Sequence, residues 1–247
     1  MFWQLARGFG AKVNGEAFWS LAKSFPFSVF RKLQNDAKQM EALLFGQSGL
    51  LEADVEDPYF IELKSAYAFL KQKHQLSNYG VLPIKFFRLR PPNFPTIRLA
   101  QLVQLYHKNT YLFSKVIQAN SYEELQRIFQ CSTSDFWHTH YNFKTLSAKR
   151  IKKRLSKSFV DLLIINSVLP IKYAYQHVNG QDQDPLILIL KSIPSEQNSI
   201  VKSFNALKPI SKTALNSQAL IELKNNYCSK LKCLQCGIGS VVLNQNV

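Results

Sequence analysis

The chain has 247 residues, of which 46% are hydrophobic, so it is long and apolar enough to bury a core in one or two domains. Its formal net charge is +15 and unevenly spread: residues 1–83 carry nine basic and eight acidic side chains, whereas residues 84–247 carry 22 and eight. The sequence has no run of about 18 apolar residues and no signal-peptide pattern, so we expect a cytoplasmic protein with no membrane partner.

Apolar residues recur at helical spacing along most of the chain, which predicts an all-α fold. Asn14 is expected to cap a helix over residues 16–22. Residues 28–46 carry a longer apolar stripe, and Gly46 is expected to end that helix because glycine favours helix C-termini.

Proline and capping residues predict the boundaries of the middle helices. Asp57 followed by Pro58 predicts the start of a helix that stops near Gln75. The four prolines between Pro83 and Pro95 predict an extended connector, since each lacks a backbone donor. Further helices are predicted at 96–108, at 110–118, and from the capping box Ser121-x-x-Glu124 to Phe129.

The later part of the chain is expected to remain helical. An apolar helix is predicted from Phe159 to Leu169, ended by Pro170, and another over 213–226. Residues 186–190 suit a strand or a buried helix equally. We expect a single mainly helical domain over 1–247, with a possible subdivision into a near-neutral part, 1–83, and a basic part, 84–247.

Three of the four cysteines, Cys228, Cys233 and Cys236, lie within nine residues at C-x₄-C-x₂-C spacing. Thiolates so spaced can converge on one zinc ion or on an iron–sulfur cluster, so the sequence predicts a metal site that needs a fourth ligand. Candidates for that ligand are Cys131 and one of the two nearby histidines, His138 or His140. The alternative is that these thiols are small buried side chains without a metal.

Two basic segments suggest phosphate binding. Guanidinium groups on a proline-stiffened segment suit phosphate, and a dense run of cations attracts polyanions. The alternatives are internal pairing of the arginines and a solvated run that binds nothing. The candidate residues for phosphate binding or a protein interface are Arg88, Arg90 and Arg98 in the first segment and Lys149, Arg150, Lys152, Lys153 and Arg154 in the second.

Aromatic residues precede the second basic segment, and their position permits two interpretations. Phe136, Trp137, Tyr141 and Phe143 lie within eight residues. Such rings stack on unpaired bases in some nucleic-acid-binding proteins. They more often form core, since aromatic side chains dominate interior packing, and we prefer that interpretation.

Five segments stand out as motifs: Leu43-Leu44-Phe45-Gly46-Gln47-Ser48-Gly49, Arg88-Leu89-Arg90-Pro91-Pro92-Asn93-Phe94-Pro95, Trp137-x-x-His140-Tyr141-x-Phe143, Ser217-Gln218-Ala219-Leu220 and Tyr227-Cys228. In this order they resemble the bacterial domain-of-unknown-function family number 2851, which has no assigned activity. The resemblance implies a longer protein whose N-terminal half is similar to the core of a PD-(D/E)xK nuclease. This chain resembles the helical C-terminal half, so a nuclease-like domain absent from the chain is an expected partner.

The sequence predicts a binding module and not an enzyme, because no nucleophile, acid–base pair or phosphate loop is legible. Our leading hypothesis is a non-catalytic nucleic-acid-associated helical module with a structural metal or iron–sulfur site. The second hypothesis is a structural domain that packs on the nuclease-like half. An enzymatic activity of this chain ranks third.

Overall fold

The computed structural model describes residues 1–244, in which all regular secondary structure is helical, and the all-α prediction is confirmed. Three isolated β-bridges occur, but no strand forms in this part of the chain. Every helix within residues 1–244 is too short or too polar to span a bilayer. The α-helices are α1 Phe2–Lys23, α2 Phe27–Lys32, α3 Ala37–Gln47, α4 Pro58–His74, α5 Pro95–Lys108, α6 Leu112–Gln118, α7 Tyr122–Ile128, α8 Phe136–Thr139, α9 Lys157–Leu163, α10 Leu169–Val178, α11 Asp184–Ser192, α12 Ser199–Leu207, α13 Ala214–Glu222 and α14 Gly237–Asn244.

The described residues form two compact units. The first unit contains Met1–Ala119 and Glu123–Tyr175, and the second contains Asn120–Tyr122 together with residues from Gln176 onward. The basic segments belong to the first unit, whereas the three clustered cysteines belong to the second.

The core of the first unit is built around α3, which packs against both α4 and α5. Gly46 lies on α3 where the ring of Tyr67 on α4 covers the backbone, and a side chain at this position would overlap that ring. The helix continues through Gly46 and ends at Gln47, one residue beyond the predicted end. Glycine is required here for close packing between helices, not for a left-handed cap.

Helix α1 bends sharply at Ala11, whose backbone angles are φ 49° and ψ −153°. Asn14 lies inside the second part of this helix and is not its N-cap, so that prediction was wrong. Its buried amide donates from Nδ2 to the Lys85 carbonyl and accepts from the Lys85 N–H at Oδ1, both at 2.8 Å. Asn14 therefore holds the extended connector against α1.

The predicted helix over 28–46 is interrupted. Helix α2 ends at Lys32, and α3 begins after Asp36, whose carboxylate accepts hydrogen bonds from the backbone N–H groups of Lys38 and Gln39. An aspartate that caps N–H groups in this way starts a new helix. The apolar stripe continues across the break because both helices face the same core.

Most of the other predicted boundaries are confirmed to within two residues. Asp57 caps α4 by accepting from the N–H groups of Tyr59 and Phe60, Pro58 occupies the first turn, and Gln75 ends the helix in a left-handed conformation at φ 50°. The proline-rich connector is extended apart from a turn at Phe87–Arg88, where Arg88 has φ 60°, and a short 3₁₀ turn at Pro91–Asn93. Helices α5, α6 and α7 follow where the sequence predicts them.

Pro170 does not end a helix, contrary to the prediction. A wider π-helical turn, Ile164–Val168, follows α9, and α10 then begins at Leu169. Proline at 170 cannot donate to the carbonyl of Asn166 four residues earlier. The side chain of Gln4 donates to that carbonyl at 3.4 Å, which supplies the missing hydrogen bond.

Two buried contacts, one at Gly8 and one at Lys172, hold helices of the first unit together. Gly8 on α1 lies so close to the side chains of Leu163 and Ser167 that an added methyl group would approach them at 2.9 and 2.6 Å. Lys172 is buried, and its Nζ donates to the carbonyls of Val116, Ile117 and Ala119 at 3.0, 2.7 and 2.9 Å. Lys172 of α10 thus donates to carbonyls at the C-terminal end of α6 that have no partner within that helix.

In the second unit, α13 packs against α11 and α12. Residues 186–190 belong to α11, which decides between the strand and helix alternatives. Helix α13 begins after Thr213, where the sequence predicts it, and a π-helical turn at Leu223–Tyr227 follows it. Ser217 and Gln218, in the fourth of the five sequence motifs, donate to the same carboxylate oxygen of Glu196.

Candidate functional site

The second basic segment, residues 144–157, has no helix before Lys157 and is fixed through its backbone. The N–H groups of Ser147, Ile151 and Leu155 donate to the carbonyls of Thr139, His138 and Cys131, and the carbonyl of Lys153 accepts from Thr133. The segment is therefore held along its length against residues 131–139. Six of its seven cations are exposed: Lys144, Lys149, Arg150, Lys152, Arg154 and Lys157.

Lys153 points inward, unlike the other cations of the segment. Its Nζ donates to the carbonyl of Trp137 and lies 4.1 Å from the ring centroid of Tyr141. Burial lowers the pKa of Lys153. This side chain holds the segment in place and does not contribute to the exposed positive surface.

The arginines of the first basic segment also divide into exposed and buried groups. Arg88 and Arg90 are exposed, and the Arg88 guanidinium carbon lies 5.0 Å from the ring centroid of Phe87. Arg98 is buried in α5, where its guanidinium donates to Gln101 Oε1 at 2.9 Å and Asn93 Oδ1 at 2.7 Å and lies 3.5 Å from the Phe159 ring centroid. Burial lowers the pKa of Arg98 to about 10.

Both basic segments are attached to the first two turns of α5. The first segment leads directly into Pro95, the first residue of α5. The hydroxyl of Thr96 donates to the carbonyl of Tyr141 at 2.5 Å, and Gln101 Nε2 donates to the carbonyl of Lys153 at 3.1 Å. Both segments are therefore connected to the start of one helix.

Little negative charge compensates these cations. Arg150 lies 3.9 Å from Asp135, a distance at the limit of an ion pair between two exposed side chains. Within residues 1–244, no carboxylate pairs with Arg88, Arg90, Lys149, Lys152 or Arg154. Of these six exposed cations, five are thus unpaired and Arg150 is weakly paired.

Two of the four aromatic residues beside the second segment are core, as preferred, and the other two, Phe136 and Tyr141, are half-buried. Trp137 is fully buried, and Phe143 is nearly so. Phe136 stacks between the rings of Tyr59 and His140, at centroid distances of 4.2 and 4.1 Å. The exposed aromatic ring next to the basic residues is instead Phe87, which is 76% accessible.

The clustered cysteines lie in short turns of the second unit. Cys228 and Cys233 are exposed and each begins a 3₁₀ turn, while Cys236 is half-buried ahead of α14. Within residues 1–244, no three side chains of histidine, cysteine, aspartate or glutamate are arranged to hold a metal ion. A metal would therefore require these turns to rearrange around it.

The candidate fourth ligands belong to the first unit. Cys131 is buried, and its Sγ lies 3.5 Å from the Gln101 carbonyl, and burial raises the pKa of its thiol to about 12. The Nδ1 of His140 lies 3.0 Å from the Thr139 hydroxyl and 3.1 Å from the Phe136 carbonyl. The buried His138 has its Nδ1 3.2 Å from Asp135, while its Nε2 has no hydrogen-bond partner among the described residues.

The sequence analysis missed a buried carboxylate. Glu41 on α3 is inaccessible to solvent; its Oε2 accepts from the Tyr59 hydroxyl at 2.8 Å and Trp137 Nε1 at 2.9 Å, and its Oε1 accepts from the Ser134 hydroxyl at 2.9 Å. Burial raises the pKa of Glu41, although these hydrogen bonds oppose that shift. An acidic residue within the apolar stripe of residues 28–46 was the available signal.

These observations define an all-helical chain with a fixed, exposed basic surface. The family described as "Protein of unknown function (DUF2851)" matches residues 1–199, and the chain belongs to this family. The matched residues include three of the five motifs; those at 217–220 and 227–228, with the clustered cysteines, lie beyond them. Comparison with curated proteins and with solved structures gave no match.

Proposed function

We propose that this chain is a non-catalytic module that binds the phosphate backbone of nucleic acid. The observation that supports the proposal is the row of four exposed cations, Lys149, Arg150, Lys152 and Arg154, on a segment whose backbone is hydrogen-bonded in place. Cations on a fixed backbone contact successive phosphates with little loss of chain entropy on binding. Arg88 and Arg90, on the connector that leads into α5, add two further exposed cations.

The proposal predicts how steeply the binding constant decreases with salt concentration. Each phosphate neutralised on duplex DNA contributes about −0.9 to the slope of log K against log salt concentration. Four contacts predict a slope of about −3.6, which is a loss of affinity of roughly a hundredfold between 50 and 200 mM salt. Single strands should give a shallower slope, of about −2.8.

Fluorescence anisotropy with labelled single-stranded and duplex DNA and RNA tests the proposal. Replacing Lys149, Arg150, Lys152 and Arg154 with glutamine should weaken binding and reduce the duplex slope by about 3.6. The matched control replaces four exposed lysines of the near-neutral part, which removes the same charge: Lys32, Lys64, Lys71 and Lys73. Equal losses in both variants would show that only net charge matters, and no binding at low salt would refute the proposal.

A structural zinc ion or iron–sulfur cluster at Cys228, Cys233 and Cys236 is the second part of the proposal. It is supported by the density of thiols and by the exposure of two of them, which leaves their sulfur atoms accessible. Metal and acid-labile sulfide should be measured on protein purified without oxygen or chelators. Iron with sulfide indicates a cluster, zinc alone indicates a structural ion, and a metal-free protein refutes this part.

A second candidate function is docking of a polypeptide, the nuclease-like half that the resemblance implies. It is favoured by apolar side chains in and just before the connector: Tyr79, Leu82 and Phe87 are 97%, 48% and 76% accessible. Apolar surface of this kind promotes association. The isolated chain should then self-associate in sedimentation velocity experiments, and Phe87→Ser should reduce the association. A monodisperse monomer would contradict this function.

A further inference from the structure

Arg98 is a buried cation without an anion. Its side chain is 9% accessible, and its two hydrogen bonds go to the neutral amide oxygens of Gln101 and Asn93. No carboxylate within residues 1–244 pairs with it. Buried charges in proteins are normally paired or bound to a ligand, because removing a charge from water is costly. The Arg98 guanidinium is therefore buried without the anionic partner that a buried cation normally has.

A cavity of about 260 Å³ opens beside Arg98. Its walls are largely apolar, with Phe9, Phe18 and Leu162 among the lining residues, and the Phe159 ring that covers the guanidinium is also part of the lining. Lys12 is the other charged residue in the lining, and no acidic residue of the described range, 1–244, lines the cavity. The cavity thus combines two cations with an apolar interior, and its volume suits a small ligand.

The backbone around the cavity is strained and held in place. Ala11 lines the cavity in a left-handed conformation that residues with a side chain seldom adopt. Asn14, another lining residue, is bonded twice to the backbone of Lys85.

We propose that this cavity binds a small organic anion, with its carboxylate or phosphate group on Arg98 and Lys12 and its apolar body among the phenylalanine rings. Arginine is suited to both groups because its planar fork donates two parallel hydrogen bonds. The proposal is independent of nucleic-acid binding, since the cavity is a separate site lined by other residues.

Isothermal titration calorimetry of the full chain with three probes tests the site. Benzoate and phenyl phosphate carry the two anionic groups on the same ring, and benzamide is the neutral counterpart of benzoate. Saturable binding of either anion, with none of benzamide, supports the proposal, and the tighter anion identifies the class of ligand. Absence of saturable binding of both anions up to about 10 mM, or equal binding of benzamide, overturns it.

Three variants test the assignment to Arg98. Arg98→Met should abolish binding of the anion. Lys12→Met, a change at an exposed residue, should weaken binding about threefold, as expected for a peripheral charge. Lys71→Met, at an exposed lysine outside the cavity lining, should leave binding unchanged. If Arg98→Met does not fold, Lys12→Met decides: equal affinities of Lys12→Met and Lys71→Met overturn the proposal.

Discussion

Replacing Glu41 with methionine should destabilise the first unit because it removes the shared acceptor of three hydrogen bonds. Methionine has a similar volume and no oxygen, so Tyr59, Ser134 and Trp137 would each lose a partner. A buried donor without an acceptor costs about 1–3 kcal/mol. The change therefore separates the cost of lost hydrogen bonds from the cost of an altered shape.

The magnitude follows from the burial of each donor. Trp137 is fully buried and cannot reach water, so its N–H should cost about 2–3 kcal/mol. Tyr59 and Ser134 are half-buried and should cost about 1 kcal/mol each. Removing the buried carboxylate offsets part of this loss, so we expect a net decrease in the free energy of unfolding of about 3 kcal/mol.

Urea denaturation followed by tryptophan fluorescence measures this loss, because Trp3, Trp19 and Trp137 all belong to the first unit. Glu41→Gln is the matched control. Its Oε1 can accept from Tyr59 and Trp137, while its Nε2 donates to the Ser134 oxygen once that hydroxyl rotates. We expect this variant to lie within about 1 kcal/mol of the unmodified chain.

Two results would refute the reasoning about Glu41. A loss below about 1 kcal/mol for Glu41→Met would mean that the three donors find other partners. Equal losses for Glu41→Met and Glu41→Gln would mean that shape or charge, and not hydrogen bonding, determines the stability at this position.

Four further predictions concern the same chain. Burial raises the pKa of Glu41 above its ordinary value of 4.5, so the folded chain keeps this proton to a higher pH than the unfolded chain. The contribution of Glu41 to the free energy of unfolding should therefore fall as the pH rises from 4.5. Urea denaturation of Glu41→Gln at the same pH values should not show this decrease. Gly46→Ala should lower the free energy of unfolding by about 1–3 kcal/mol because the added methyl group overlaps Tyr67. Adding Tyr67→Ala should partly restore the stability of Gly46→Ala. Gly15→Ala, where the nearest atom is at 3.5 Å, should not lower the free energy of unfolding. Lys172→Met should cost about 3 kcal/mol because three carbonyls lose their donor, whereas the exposed Lys144→Met should change stability by less than about 0.5 kcal/mol in the same urea assay. In metal-free native protein, Cys228, Cys233 and Cys236 should react with a thiol reagent before Cys131, whose pKa of about 12 and burial should delay reaction until the chain is denatured; four thiols reacting at one rate would contradict this order.

Local signals predicted the elements whose cause is local. Asp57 caps α4 through hydrogen bonds within three residues, so the start of that helix is legible in the sequence. Gly46 and Pro170 were misinterpreted because their roles depend on distant residues, Tyr67 and Gln4. Neither contact leaves a mark on the neighbouring sequence.

The sequence predicts that the candidate site is positively charged, but it does not predict which of the charged side chains are exposed. Composition identifies the basic segment, but it cannot distinguish Lys153, which donates to a carbonyl inside the unit, from the exposed Lys152 beside it. Arg98 was grouped with Arg88 and Arg90 for the same reason. Burial of one cation among several is decided by tertiary contacts, which here come from Trp137 for Lys153 and from Phe159 for Arg98.

The contacts of Gln4 and Gly8 with residues 163–167 constrain the order in which the chain can fold during synthesis. These partners are separated by more than 150 positions, and the ribosome adds about 5–20 residues per second. One face of α1 is therefore synthesised roughly ten seconds or longer before residues 163–167, which cover it in the folded chain. During that interval the face of α1 that contains Gly8 lacks the side chains of Leu163 and Ser167, which lie against Gly8 in the folded chain.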